Sequence, residues 1–486
     1  MNQPDTQPSA TAISLRFTAA FAAALMLLAP ALWNGFPLLQ YDTGGYLARW
    51  YEGHLEESRS TVYGLYLVLL ARPDFWPALA VQALLTVWVL WLMLRAHALA
   101  TPLTLIVTAA ALSIATSASW LVSTLLTDIF AGLSVLALYL VTMRGSTLAR
   151  WERWALIALI AFSAATHTAT LAVLLALLAA GLAVALVRRD VVPFAGLACG
   201  GFAVAISVAL LLAANYAVAG RLAWTPGGSA IPFGRMLQAG IVARYLAEYC
   251  PDPRLPKLCA NRDKLPDNAD YFFWGSDLFD QLGRFEGLGE EMRIVMRESL
   301  ADYPGSQIGA AIAAAAEQLA RVATGYGVHT DIWHTYWILE TFAPESLPAM
   351  KAARQQHGEL GFDAINYLHL PVAWASMLLL LGVLALAARR RQFADLGELA
   401  AVVALAILAN AAVCGALSNP NDRYGARMVW LATLVVLLVP WMRKDATSER
   451  AIRLSNQTGS CSPPASGANR APSASLAATI PGIPVH

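Results

Sequence analysis

The chain has 486 residues, 58% of them hydrophobic and 13% charged, with a mean hydropathy of +0.54 and a formal net charge of +1. That balance excludes an ordinary soluble globule and a disordered chain, and points to an all-α polytopic membrane protein. No basic face dominates, so nucleic acid is not expected as a partner, and the apolar runs are too long and too little alternating for outer-membrane strands.

Apolar runs of about 17 to 25 residues predict about ten transmembrane helices, near 13–33, 75–94, 102–119, 125–143, 154–166, 168–187, 192–216, 366–388, 396–417 and 427–442. The fifth and sixth form one run broken at Thr166-His167-Thr168, read as a tight outer turn. Basic residues set the orientation. One set of loops carries Arg95, Arg144, Arg150, Arg153, Arg188, Arg189, Arg389, Arg390, Arg391, Arg443 and Lys444, whereas the opposite set carries Arg49, Arg59, Arg72, Arg423 and Arg427. The richer set belongs in the cytoplasm, which puts both termini inside a bacterial inner membrane.

The chain thus divides into an N-terminal membrane module (1–217) with an outer loop at 34–74, a mixed extramembrane insert read as a periplasmic domain (218–365), a C-terminal membrane module (366–442) and a tail (443–486). In the outer loop, Val62 to Ala71 is too short to span and reads as an interfacial helix. Gln307 to Ala323 carries Glu317 and Arg321 and reads as a surface-lying helix. The tail, rich in Ser, Pro, Ala and Gly, reads as disordered. Of five cysteines, Cys199 and Cys414 lie in apolar runs as small hydrophobes, and Cys461 is in the tail. Cys250 and Cys259 bracket Cys-Pro-Asp-Pro-Arg-Leu-Pro-Lys-Leu-Cys, which closes easily into a disulfide loop on an oxidising side.

This topology gathers scattered polar residues at one mouth. Asp42 follows the first span, Asp128 opens the fourth, His167 tops the turn between the fifth and sixth, and Asp422, Arg423 and Tyr424 join the last two. A carboxylate at the mouth of a membrane bundle is expensive to keep without a task. Structural roles compete with that reading: Asp42 and Asp128 as helix N-caps, His167 as a turn residue, Asp422 and Arg423 as an exposed pair. Glu56, Glu57 and Arg59 read as a solvated face, with Arg59 also within reach of an anionic ligand, and Gly44-Gly45 as a tight turn. His329 and His334 lack a third metal ligand, and there is no Walker A or dinucleotide-binding glycine motif.

At these residues the chain resembles the C-type (GT-C) membrane glycosyltransferases, which use a polyprenyl-phosphate-linked sugar as donor. The resemblance spans about residues 13–442: an acidic residue in the loop after span one, interfacial helices, an acidic residue opening span four, and an Arg-Tyr after the penultimate span. It implies a GT-C-like bundle and an inverting transferase. A sugar would move to an envelope glycan, lipid or protein acceptor, with Asp42 as general base, Asp128 as a second catalytic carboxylate, and Arg59, His167, Asp422, Arg423 and Tyr424 binding substrate. No cofactor is implied. A divalent metal is compatible with the family, but Asp42-Thr43-Gly44 lacks the paired acids of many members. The alternatives are a transporter or flippase of a lipid-linked intermediate, and a non-catalytic envelope-assembly subunit. Scarce mid-span charges and the lack of matching broken helices weigh against transport.

Overall fold

The computed structural model describes residues 10–458 apart from 189–190, 226–227, 229 and 331. It is 80% helical, with no strand among the described residues. The first half holds α1 (Ala10–Asn34), α2 (Tyr41–Glu52), α3 (Thr61–Leu69), α4 (Trp76–Ala96), α5 (Pro102–Ala115), α6 (Ala118–Ser123), α7 (Asp128–Met143), α8 (Arg150–Thr166), α9 (Thr168–Val187) and α10 (Phe194–Ala219). The insert follows with α11 (Ala230–Gln238), α12 (Ile241–Tyr249), α13 (Pro256–Ala260), α14 (Asp277–Gln281), α15 (Arg284–Asp302), α16 (Pro304–Ala320), α17 (Trp333–Phe342) and α18 (Leu347–Ala352). Then come α19 (Phe362–Arg389), α20 (Ala394–Leu417) and α21 (Asp422–Thr458).

Among the described residues, seven helices are long and apolar enough to cross a membrane, in or around α1, α4, α9, α10, α19, α20 and α21. This is a membrane protein. The count of about ten also includes α5, α7 and α8, which at 14, 16 and 17 residues are shorter than those seven. Helix α7 explains how a short helix can belong to the bundle: every residue from Asp128 to Thr142 is buried, among α4, α8, α9, α10 and α20. At 1.5 Å per residue it is about 24 Å long, and protein rather than lipid surrounds it. At the end of the bundle opposite the mouth, Arg95 of α4 ties to Glu152 of α8 at 2.5 Å. Glu152 also accepts the Ala149 N–H at 2.8 Å, closing the N-terminus of α8. The break between α8 and α9 falls at His167, whose extended backbone ends one helix and caps the next.

The insert divides by packing. Phe233, Tyr245, Phe272, Phe279, Met292 and Val295 belong to one local apolar core. Buried Glu291 accepts the N–H groups of Lys257 at 3.1 Å and Leu258 at 2.8 Å, closing the start of α13. Cys250 and Cys259 are joined by a disulfide with their Cα atoms 5.6 Å apart. The later part of the insert joins the bundle: α16 packs along α20 and α17 against α2. Helix α16 therefore does not merely lie on a surface, since it buries Ala314 and Gln318.

Among the described residues, those up to Trp441 form one compact unit and those from Met442 to Thr458 belong to another. The tail read as disordered is helical as far as Thr458. Residues 443–458 contain neither Gly nor Pro, so nothing local interrupts a helix before Gly459. The rest of the tail, with Cys461, lies outside the described residues.

Thiol labelling of the unreduced, denatured protein is expected to leave Cys250 and Cys259 unmodified and to expose both after reduction. Labelling of either without reductant would reject the bridge.

Candidate functional site

The mouth is built from loops that hydrogen-bond as if they were strands. Leu38 N–H donates to Ser123 O at 2.9 Å, and Leu125 N–H to Leu38 O at 3.0 Å, tying the segment after α1 to the one before α7. On its other side buried Gln355, from the insert, accepts from Leu39 N–H at 3.0 Å and donates to Leu39 O at 2.8 Å. The chain then enters α2 under a cap made by Gln40, which accepts the Asp42 N–H at 2.8 Å, while Thr43 Oγ1 accepts the Gln40 N–H at 3.0 Å. Thr43 Oγ1 also donates to Leu125 O at 3.0 Å. Asp42 is therefore not the N-cap. It stands in the first turn of α2, where a negative charge suits the helix dipole.

Gly44 and Gly45 do not form a turn; they lie inside α2. Their lack of side chains admits neighbours. A Cβ on Gly44 would come 2.7 Å from Thr335 Cα of α17, and one on Gly45 would come 2.8 Å from Arg59 Nε. Close approach to other groups, not backbone bending, is what these positions require.

Five charges then alternate across the site. Arg59 meets Asp42 at 2.6 Å, Asp42 meets Arg423 Nη1 at 2.5 Å, Arg423 Nε meets Asp128 at 2.6 Å, and Arg427 approaches Asp128 at 3.7 Å. Exposure falls inward along this chain, from 18% for the Asp42 side chain to 2% for Asp128 and 0% for Arg427. Asp128 is the first residue of α7 and caps nothing; Thr127 holds the cap position. Arg427 is held further by Asn410 Oδ1 at 2.8 Å and Cys414 Sγ at 3.2 Å. Cys414 is thus a polar contact within the charge cluster, not an inert filler. Arg423 Nη2 has no hydrogen-bond partner among the described residues.

A cavity of about 370 Å³ opens beside the outer end of this chain, with Asp42, Glu57, Arg59, His167, Cys414 and Tyr424 in its wall. His167 Nδ1 accepts the Ala169 N–H at 3.3 Å, and its ring stands 6.4 Å from that of Tyr424. Tyr424 underlies both guanidiniums, with Arg427 5.1 Å and Arg423 5.8 Å from the ring centre. Asp422 is elsewhere. Its carboxylate accepts the Ala323 N–H at 3.0 Å and lies 3.9 Å from Arg321, so it braces α21 against the end of α16 instead of pairing with Arg423.

Two of the cavity's carboxylates, Asp42 and Glu57, are in opposite electrostatic states. Burial pushes Asp42 up, but Arg59 and Arg423 outweigh it and hold its pKa at about 2. Glu57 is not part of a solvated face. It is buried, and burial raises its pKa to about 7 against the pull of Arg59. Of the residues expected here, Asp42, Arg59, His167, Arg423 and Tyr424 share the cavity or its charge chain, Asp128 lies beneath them, and Asp422 stands apart. Glu57, Asn410, Cys414 and Arg427 were not expected. Only Arg427 carried a sequence signal, as an arginine entering an apolar run. Among the described residues no three His, Cys, Asp or Glu gather closely enough to hold a metal ion.

No family model, curated protein or solved structure matches this chain.

Asp128→Asn is expected to be severely destabilising, because it leaves buried Arg427 without a carboxylate and Arg423 with Asp42 alone. Breaking a buried pair in this way costs about 3–5 kcal/mol. Thermal unfolding in detergent should show a large fall for Asp128→Asn and a small one for the more exposed Asp42→Asn. Equal stabilities would remove Asp128 from its supporting place.

Proposed function

We propose that this protein is a membrane glycosyltransferase of the GT-C type, moving a sugar from a polyprenyl-phosphate donor to an envelope acceptor. The carrying observation is the charge chain at the cavity: three guanidiniums against two carboxylates, Arg59, Arg423 and Arg427 against Asp42 and Asp128. The excess of one positive charge suits a phosphate, which Arg59 in the cavity wall would meet directly, with Arg423 behind Asp42. As the bond to the sugar breaks, charge grows on that phosphate, and fixed guanidiniums stabilise it without reorganising. The prenyl chain would lie along apolar helix surface beside the mouth.

Asp42 anchors both guanidiniums. Held near pKa 2 by them, its carboxylate is a weak proton acceptor, so its part in this reading is to keep the guanidiniums in place for the phosphate. On this reading α5, α7 and α8 count among about ten spans of a GT-C-like bundle in a bacterial inner membrane. The mouth and the insert face the periplasm and both termini face the cytoplasm. The excess of Lys and Arg in one set of loops supports that orientation.

Reporters fused after Arg49 or Asp270 are expected to read as periplasmic, and those after Arg150 or Arg390 as cytoplasmic. A cytoplasmic result at Asp270 would overturn the orientation.

In liposomes, the protein is expected to release polyprenyl phosphate from at least one member of a panel of synthetic polyprenyl-phosphate sugars. Asp42→Asn should lower that rate about 10²-fold or more. Arg423→Lys should impair it too, since an ammonium cannot bridge Asp42 and Asp128 and still offer a donor to the phosphate. Full activity of Asp42→Asn would move the chemistry elsewhere, and no release from any donor would end the transferase reading.

A further inference from the structure

Glu57 occupies the same cavity as Asp42 but in a different condition. Asp42 has both oxygens taken, Oδ1 by Arg59 and Oδ2 by Arg423. Glu57 is 5% exposed, yet its Oε2 has no hydrogen-bond partner among the described residues. Thr225 hydrogen-bonds to the carboxylate and orients it. Arg59, two positions along the chain, gives its guanidinium to Asp42 at 2.6 Å. The other ionisable groups around Glu57 and this cavity are Glu56 on its own loop, Asp42 and Tyr46 of α2, His167 at the head of α9, Cys414 of α20 and Tyr424 of α21. Among the described residues no ion pair closes onto Glu57 as Arg59 and Arg423 close onto Asp42. A buried acceptor oxygen left open in a cleft wall is costly unless a ligand hydrogen pairs with it.

We propose that Glu57 is the proton acceptor of this site, receiving the hydrogen of the acceptor hydroxyl on Oε2 while Asp42 keeps Arg59 and Arg423 in place for the phosphate. This rests on the glycosyl-transfer reading. In the step, the acceptor oxygen bonds to the anomeric carbon, and the bond from that carbon to the phosphate oxygen breaks with its electron pair staying on the phosphate. The hydroxyl proton passes to the Glu57 carboxylate, making the acid, and returns to water through the cavity mouth. Nothing is oxidised or reduced. A base is most effective when it titrates close to the working pH, and burial brings Glu57 to about 7, whereas Asp42 stays ionised throughout the neutral range.

The two carboxylates therefore predict different pH profiles. With Glu57 as acceptor, the full-length protein in liposomes should release polyprenyl phosphate faster as pH rises through about 7, reaching a plateau above it. Glu57→Gln should lose about 10²-fold and the rising limb together, while Glu57→Asp keeps part of the rate. Infrared titration without substrate should show a carboxyl band disappearing near pH 7, absent from Glu57→Gln, and unfolding in detergent should confirm that this variant is folded. If Glu57→Gln keeps the rate and the limb while Asp42→Asn is inactive, the assignment is overturned and the transferase reading stands. If the wild-type protein releases nothing from any donor, both are overturned.

Discussion

The arrangement around Asp128 is the constraint on which the rest of the mouth depends. A carboxylate taken almost wholly out of water is tolerable only if cations meet it, and those cations must then be satisfied in turn. Arg423 Nε supplies the direct bond across 295 positions of sequence, and the other side of the same guanidinium holds Asp42 across 381. Each ion therefore fixes the place of the next. Helix α21 cannot slide or rotate against α7 without stranding a buried charge, and α2 is bound to both through one carboxylate. The site is organised by desolvation: exposure falls from 18% at Asp42 to 2% at Asp128 and 0% at Arg427, so the inner ions have the least water to replace a lost partner.

Helix α2 carries the consequence outward. It has a Gln cap in place of an Asp cap, which releases Asp42 for the arginines, and glycines where α17 and Arg59 press against it. The insert is part of this support. Gln355 completes the hydrogen bonding of the segment leading into α2, and Thr335 Oγ1 accepts the Gly44 N–H at 3.2 Å. A polar excursion of the chain thus acts as an outer brace for the helix that presents the carboxylate.

The sequence made the helical membrane class and the convergence of Asp42, Arg59, His167, Arg423 and Tyr424 on one mouth legible, because hydropathy and loop charge reflect the solvent directly. Packing was not legible. Nothing in Glu-Glu-Ser-Arg distinguishes a buried Glu57 from a solvated one, since its burial comes from residues near 225 and from α2. Asp422 and Arg423 are adjacent in sequence but diverge, because successive residues on a helix point about 100° apart; one faces Ala323 and the other Asp42. Gly44-Gly45 has the composition of a turn, and only a crossing helix reveals it as a contact point. Gln355 gave no signal: a lone Gln in a polar stretch becomes structural only through the two backbone groups of Leu39 that it meets.

The complete burial of α7 bears on how the protein is made. A helix with no side open to lipid has no stable resting place in the bilayer on its own, least of all with Asp128 at its head. Four of the helices that wall it, α8, α9, α10 and α20, are synthesised after it. During biogenesis the walls of α7 are therefore complete only once the chain has been made past Leu417. Its charged end must wait longer still, for Arg423 and Arg427 arrive only with the last helix.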